Sequence, residues 1–479
     1  MKKVLVVLGV LVGLVVVGVV ALLLLVDVNA YKPRIEAAAT DALGMELRIG
    51  GKASLRLVPS LGISVADVHV RNRGTELAKV GSLRIGVKLI PLLSREIQVT
   101  EFVLDKPDVL IEKGKDGKFN FETPPRAPRP APSAAKETAA LFVRDSAVRG
   151  GRLLYLDRTS GRRMEIDGVD LTVRDLSLGG KPGESGVKAL SFTGDLRVAD
   201  LKDGNVSASE IRAAVKAAGG VFRVRPLAMR MFGGSGDGEV DVDLSGPATA
   251  VKVRYALSGF RAAEALAAVS KKATLSGPLS LTADLSLRGR NADAMLRSLG
   301  GTISLRGEDL AVKGMDVDET LEKVSQTQKV GIADVGAFLL AGPLGTLATK
   351  GFDVGGVYMS TLGGETRITR LVSDWSVSGG VAEARDVAFA TRKNRIALKG
   401  KLDIADSRFV GVTVAALDAK GCATLRQGIS GPFRHPKLDK VSTLQSAAAP
   451  ILGLFAETKK LLTLGECEPF YTGTVAHPE

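Results

Sequence analysis

The chain has 479 residues, of which 45% are hydrophobic, so it can bury a sizeable core and is not a wholly disordered protein. Lys and Arg (65) outnumber Asp and Glu (52), giving a formal net charge of +13, but only 4% of the residues are aromatic. Binding of single-stranded nucleic acid relies on aromatic stacking platforms, so we expect no nucleic-acid partner. A solvated surface or anionic lipid headgroups explain the positive charge better.

The N-terminus predicts a single membrane span. Residues 4–26 carry no charge, and a helix of this length covers about 35 Å, enough to cross a hydrocarbon core of about 30 Å. Lys2 and Lys3 place residues 1–3 in the cytoplasm and everything after the span on the far side. A cleaved signal peptide is the alternative, but the apolar run exceeds the 7–15 residues, roughly, of a signal core. We therefore expect a retained anchor.

Residues 27–121 are predicted to form a membrane-proximal β-rich unit. Pro33 begins a short helix that Gly44 ends, and the period then changes to two, with Met45, Leu47 and Ile49 alternating with charged residues. Five prolines in residues 122–140 predict a solvated linker or long loop.

Residues 141–440 are predicted to be a succession of alternating strands with short helices. The helices are expected at 261–271, 291–299 and 316–329. Residues 441–479 should contain an amphipathic helix over 443–464 and a last strand over 470–475. Gly234, Gly236 and Gly238 are expected to form a turn.

The clearest alternation lies within residues 281–288. One face carries four apolar side chains, which are Leu281, Ala283, Leu285 and Leu287. Asp284 and Arg288 lie on the other face, which should be in water. The apolar face must be covered by a second sheet, by helices or by acyl chains, so these four residues are candidates for lining a groove.

The two cysteines, Cys422 and Cys467, both lie in the exported part. A disulfide is the simplest interpretation in an oxidising compartment, and it would close a loop of about 46 residues. Free thiols are one alternative. A metal site with His435 and His477 is another, although the spacing lacks a CxxC motif.

Motifs that carry chemistry are missing from the sequence. The three histidines form no HExxH motif, and neither a phosphate-binding loop nor a GxSxG motif is present. Asp241 and Asp243 could pair as carboxylates, but a solvated outer face explains them better. We therefore expect no catalytic residues, no cofactor and no bound metal, and we do not expect an enzyme.

Several stretches together resemble the AsmA family. The N-terminal resemblance covers residues 33–71 and includes Leu57-Val58-Pro59-Ser60-Leu61-Gly62-Ile63. Later matching stretches are 118–121, 296–305, 314–318, 421–432 and 467–473. Residues 122–132 and part of 330–400 lie outside the resemblance.

The resemblance implies a mainly β fold with a few helices, in which the transmembrane helix is followed by a long curved, antiparallel-rich sheet forming a repeating β-groove. It also implies a single-pass protein of the cell inner membrane with most of the chain in the periplasm. The expected function is transfer of phospholipids toward the outer membrane and maintenance of that membrane. A scaffold for outer-membrane protein assembly, with envelope protein partners, is the alternative, and an envelope hydrolase is a distant third.

Overall fold

The computed structural model describes the residues 28–56, 61–88, 99–122, 141–179, 186–269, 275–314, 316–319, 321–322, 364–443 and 467–479. The predicted anchor and the bulk of the Pro-rich segment lie outside these residues, as does nearly all of the predicted helix at 443–464. In the part of the chain that is described, no helix is both long and apolar enough to cross a membrane.

The described chain is mainly β, as predicted, and divides into two compact units. The first unit comprises residues 1–204 and 209–219, and the second comprises 205–208 and 220–479. The α-helices with both ends described are α1 (Lys32–Leu43), α2 (Ala262–Val269) and α3 (Ala292–Arg297), and residues 317–319 and 321–322 are also helical. Short 3-10 helices span Val28–Tyr31 and Gly186–Ala189. The helices predicted to begin at Pro33 and over 261–271 and 291–299 are thus confirmed, while most of 316–329 lies outside the description.

The first unit is a mixed sheet. Its strands are β1 (Glu46–Ile49), β2 (Ala53–Arg56), β3 (Leu61–Asn72), β4 (Thr75–Val87), β5 (Val99–Lys113), β6 (Leu141–Asp157), β7 (Arg163–Leu178), β8 (Leu190–Asp203) and most of β9 (Val206–Ala218). β1 and β2 both pair with β3, and β3 to β8 pair in chain order. Among the registers described, β5 with β6 is the one parallel pair. Residues 114–140 are long enough to return the chain to the same end, as a parallel connection requires.

Helix α1 covers the outer edge of β1, and Asn29 of the preceding 3-10 helix accepts the Ala53 N–H of β2 (2.9 Å). Its C-terminus is closed by Gly44 at φ 69°, whose N–H bonds to the Thr40 carbonyl. Backbone donors of the edge strands are capped by helix side chains: the Ile49 N–H donates to Glu36 (2.6 Å) and the Leu47 N–H to the Thr40 hydroxyl (3.0 Å). Unpaired edge groups would otherwise be available to another strand.

The second unit is an antiparallel sheet wherever its register is described. Its strands are β10 (Val221–Met231), β11 (Gly234–Asp243), β12 (Thr249–Arg261), β13 (Leu275–Ser276), β14 (Pro278–Gly289), β15 (Gly300–Lys313), β16 (Glu365–Ser378), β17 (Val381–Ala390), β18 (Arg395–Asp403), β19 (Arg408–Leu417), β20 (Ala423–Pro432), β21 (Lys437–Leu438) and β22 (Ser442–Thr443). β10 to β12 and then β14 to β20 pair in order. β13 pairs with β15, and β21 and β22 pair with β20.

Two local predictions were wrong. Gly234, Gly236 and Gly238 lie inside β11, and the Tyr255 ring of β12 occupies the space that a Cβ at 236 or 238 would need. Residues 470–475, all of them described, form no strand. That segment is held by side chains instead of a ladder, as the next section shows.

Candidate functional site

Strand β14 places the predicted groove residues on one side of the sheet. The half-buried side chains are Leu281, Ala283, Leu285 and Leu287, and the exposed ones are Thr282, Asp284, Ser286 and Arg288. The predicted orientation of the strand is therefore confirmed.

The apolar side of β14 continues across three neighbouring strands. Residues directly opposite in an antiparallel ladder point to the same face, so the register defines rows of side chains. Two rows run from β10 to β14, namely Val224, Val240, Val253, Leu285 and Phe222, Val242, Val251, Leu287. All eight are half-buried. We call these eight residues the open face.

The same face becomes fully buried from β15 onward. The row of Leu285 passes through Gly301 and then Val377, Ala382, Leu402 and Phe409, and the row of Ala283 passes through Ile303 to Trp375. Trp375 is 2% exposed, Leu402 3% and Phe409 1%. We call Ile303, Trp375, Val377, Ala382, Leu402 and Phe409 the closed face.

Trp375 is fixed within the closed face by a polar contact. Its indole N–H donates to the hydroxyl of Ser373, two residues earlier on β16, at 2.8 Å. Both groups are buried, and a buried hydroxyl or indole N–H without a partner would be destabilising. The pair therefore holds the largest buried side chain in one orientation.

The opposite side of β10 to β14 is covered by ion pairs. The Arg254 guanidinium donates to Asp284 (3.1 Å) and to Glu239 (3.0 Å), and Arg225 bonds to Glu239 (3.1 Å) and Asp241. The hydrogen bond to Asp284 raises the pKa of Arg254 above its ordinary value. Asp241 thus lies on an outer, charged face as expected, and its charge is balanced by a neighbour on the adjacent strand.

The first unit has an apolar row of its own that the sequence analysis missed. It crosses six strands and consists of Val65, Leu83, Leu104, Val148, Leu171 and Leu196. Val65 is buried and the other five are half-buried. The alternation of Leu171 and Val173 with polar neighbours was the available signal for β7. Ile63 and Phe102, in the next row of this face, are among the more exposed large apolar side chains.

The C-terminal segment is joined to the second unit by a disulfide. Cys422 and Cys467 are bonded, with their Cα atoms 6.1 Å apart. The predicted disulfide is confirmed, and the alternatives of free thiols and of a metal site through these cysteines are not supported. Among the described residues, no group of three or more His, Cys, Asp or Glu is arranged to hold a metal ion.

Residues 467–479 then pack, through Tyr471, on the side of the sheet opposite the closed face. Its hydroxyl donates to Asp386 and accepts the Val475 N–H at 3.0 Å. Burial, followed by the bond to Asp386, raises the pKa of Tyr471 above its ordinary value. Arg395 lies over the Tyr471 ring (5.6 Å) and donates to the Val475 carbonyl (3.2 Å). Tyr471 and Val475 belong to a small apolar cluster with Val372, Ala388, Ala390, Ala397, Ala415 and Leu417.

One histidine has charged neighbours. His69 on β3 contacts Glu76 through Nδ1 and Asp67 through Nε2 (3.1 Å), and its hydrogen bond lowers the pKa of Glu76. The three groups are partly exposed and face each other across the β3–β4 hairpin. Their geometry is that of a local hairpin contact.

Comparison with known proteins gives one result. The sequence model described as the AsmA family matches residues 1–177 and 190–386. The match includes residues 122–132 and 330–386, so the stretches that the resemblance left out belong to it, and it ends before Cys422. No curated protein and no solved structure matches the chain. Because the match covers well over half of the sequence, the chain belongs to the AsmA family.

Proposed function

We propose that this protein is a membrane-tethered lipid carrier of the cell envelope. Residues 4–26 anchor it in the inner membrane, and the two β units lie in the periplasm. There they hold the acyl chains of phospholipids in transit to the outer membrane and so help to maintain that membrane. Membership of the AsmA family supports the proposal, as does the sequence of residues 1–26.

The open face is the observation that carries the proposal. It presents eight half-buried apolar side chains on one side of β10 to β14, while the ion pairs of Arg225 and Arg254 lie on the opposite side. Keeping lipid CH2 groups from water contributes about 0.8 kcal/mol for each group. This contribution is not directional, so chains can slide along the face without specific sites. A lipid-carrying role therefore needs no catalytic residues.

The proposal is tested by photo-crosslinking in cells at two neighbouring positions. A photo-reactive amino acid at position 285 should label phospholipid, because Leu285 is on the open face. The same amino acid at 284 is the matched control, because Asp284 is exposed on the opposite side and pairs with Arg254. Equal labelling at 284 and 285, or crosslinks from 285 to this protein alone, would contradict lipid carriage.

A scaffold for outer-membrane protein assembly is the second candidate. The closed face favours it, because there the apolar side is covered by protein and has no room for lipid. A scaffold of this kind would give crosslinks from its exposed outer strands to other envelope proteins. Mass spectrometry of organic extracts of the purified protein would then find lipid only in the amounts that co-purify with a membrane anchor.

A further inference from the structure

The apolar face of the second unit changes from open to closed within two strands. On β14, Leu285 is half-buried, and two strands later in the same row Val377 is buried. We infer that acyl chains held by this unit stop at β14, and that Ile303 and Trp375 form a barrier beyond which the sheet is a protein core. This inference rests on the proposed lipid-carrying function and adds the strand at which the lipid-accessible surface ends.

The barrier is dense and fixed. Ile303 and Trp375 are opposite each other on β15 and β16 and are both nearly inaccessible. Trp375 is held by its bond to Ser373. In the neighbouring row, Val377, Ala382 and Leu402 have almost no exposed surface. Protein interiors pack at the density of organic crystals, so an acyl chain cannot enter without displacing these side chains.

The boundary strand β15 leaves no room for a side chain at the position opposite Leu285. Gly301 is opposite Leu285, and a Cβ at Gly301 would lie 1.9 Å from the Asp284 carbonyl oxygen. Its backbone has φ +130°, which side-chain-bearing residues rarely adopt. The row of Leu285 thus passes through a position without a side chain to buried Val377, and Ile303 and Trp375 lie in the adjacent row.

The length and chemistry of the accessible part match an acyl chain. From Tyr255 to Val251 the half-buried positions on this side of β12 extend for four residue steps, or about 14 Å at about 3.4 Å per residue, and Leu257 beyond them is buried. One leaflet of a hydrocarbon core of about 30 Å is about 15 Å thick, so one extended acyl chain fits along a strand. The described side chains of the open face carry no charge, whereas a protein partner would also need polar contacts at a rim. We therefore assign the face to lipid chains.

Trp375 is the chain's single tryptophan, which allows a direct test. The full-length protein is reconstituted in vesicles of phosphatidylethanolamine and phosphatidylglycerol with brominated acyl chains, which quench indole emission on contact. Matched vesicles without bromine are the reference. Three proteins are compared: the native one, and Leu285→Trp and Asp284→Trp, each combined with Trp375→Phe. Val253→Trp, directly opposite Leu285, replaces the first variant if that variant does not fold.

The emission at position 285 should fall severalfold more than the emission of native Trp375 or of position 284. Equal quenching at 285 and 375 would show that lipid reaches Trp375. The inferred barrier would then be wrong, while the proposed lipid-carrying function would still hold. Quenching at neither position would overturn the barrier together with the proposed function. Equal quenching at 284 and 285 would show nearness to the bilayer surface instead of lipid on the open face, and would also overturn the inference.

Discussion

The open and closed faces of the second unit both consist of apolar side chains that lie opposite each other on neighbouring strands, but these side chains differ in their exposure to solvent. Val253 and Leu285 keep part of their surface in contact with solvent, whereas Leu402 and Phe409, further along the same row, have almost none. The opposite side differs too. Behind the open face lie ion pairs, and behind the closed strands lies the apolar cluster of Val372 and Ala388, on which the C-terminal segment packs. Alternation thus decides which side is apolar, and the covering elements decide whether that side is available to a ligand.

Among the variants considered, removing the disulfide that holds the C-terminal segment on the closed strands should lower the free energy of unfolding most. Cys422→Ala combined with Cys467→Ala opens a loop with a sequence separation of 45. In the chain-entropy model this lowers the free energy of unfolding by about 4 kcal/mol. Urea unfolding followed by Trp375 emission measures the loss. Reducing agent should destabilise the native protein similarly and leave the double variant unchanged, and non-reducing peptide mapping should recover the linked pair. An unaltered urea midpoint would show that the C-terminal cover is held without the bond.

Two leucines of one row give a matched test of coverage. Leu402→Ala should lower the free energy of unfolding by about 2–5 kcal/mol, because it leaves a cavity in a closed core. Leu285→Ala should cost only about 1–2 kcal/mol, since Leu285 is already partly in water. Urea unfolding of both variants in the same buffer measures the two losses of unfolding free energy, which are then compared. Equal losses would mean that the two regions are equally covered in solution.

The boundary between the two faces can be tested at adjacent glycines. Gly301→Ala should destabilise by about 1–3 kcal/mol, because of the positive φ and the contact with the Asp284 carbonyl. Gly300→Ala is the control, since its Cβ would meet the Val377 carbonyl at an ordinary 3.6 Å. Thermal unfolding of both variants measures the difference. A tolerated alanine at 301 would indicate that β14 and β15 separate easily, contrary to a fixed boundary.

Tyr471 predicts a smaller, pH-dependent effect on the closed side. At neutral pH Tyr471→Phe should cost about 1–3 kcal/mol, because Asp386 and the Val475 N–H lose a buried partner. The pKa of Tyr471 is raised above 10.0 in the folded protein, so the folded state holds this proton more tightly than the unfolded chain. Its stabilisation is present below pH 10.0 and is lost as the pH rises through the folded pKa.

The measurement is urea unfolding of the native and Tyr471→Phe proteins at neutral pH and at several values above 10.0. The difference between their free energies of unfolding should narrow as the pH rises. A constant difference would show that the hydroxyl is no better protected from ionisation in the folded state than in the unfolded chain.

The sequence was sufficient for features set by local patterns. The alternation at 281–288 and the helix ended by Gly44 follow from neighbouring residues. The disulfide follows from the presence of two cysteines in the part of the chain expected to be exported. A signal for the closed strands was also present, because Val387 to Ala390 is a continuous apolar run, typical of a strand buried on both sides. The contact of Tyr471 with Asp386, separated by 85 residues, depends on the fold, and no local pattern encodes it. Gly236 was mistaken for a turn residue because Tyr255 packs on it from another strand.

The edge strands near the two ends of the chain bear on whether a second copy of the protein could extend the sheet. β1 and β2 pair with the outer side of β3, β1 is covered by α1 and β2 is capped by Asn29 of the 3-10 helix. β21 and β22 pair with parts of the second edge of β20. These edges are therefore poor templates for strand addition by a second copy. Extending the sheet at these two edges therefore requires further strands within the same polypeptide.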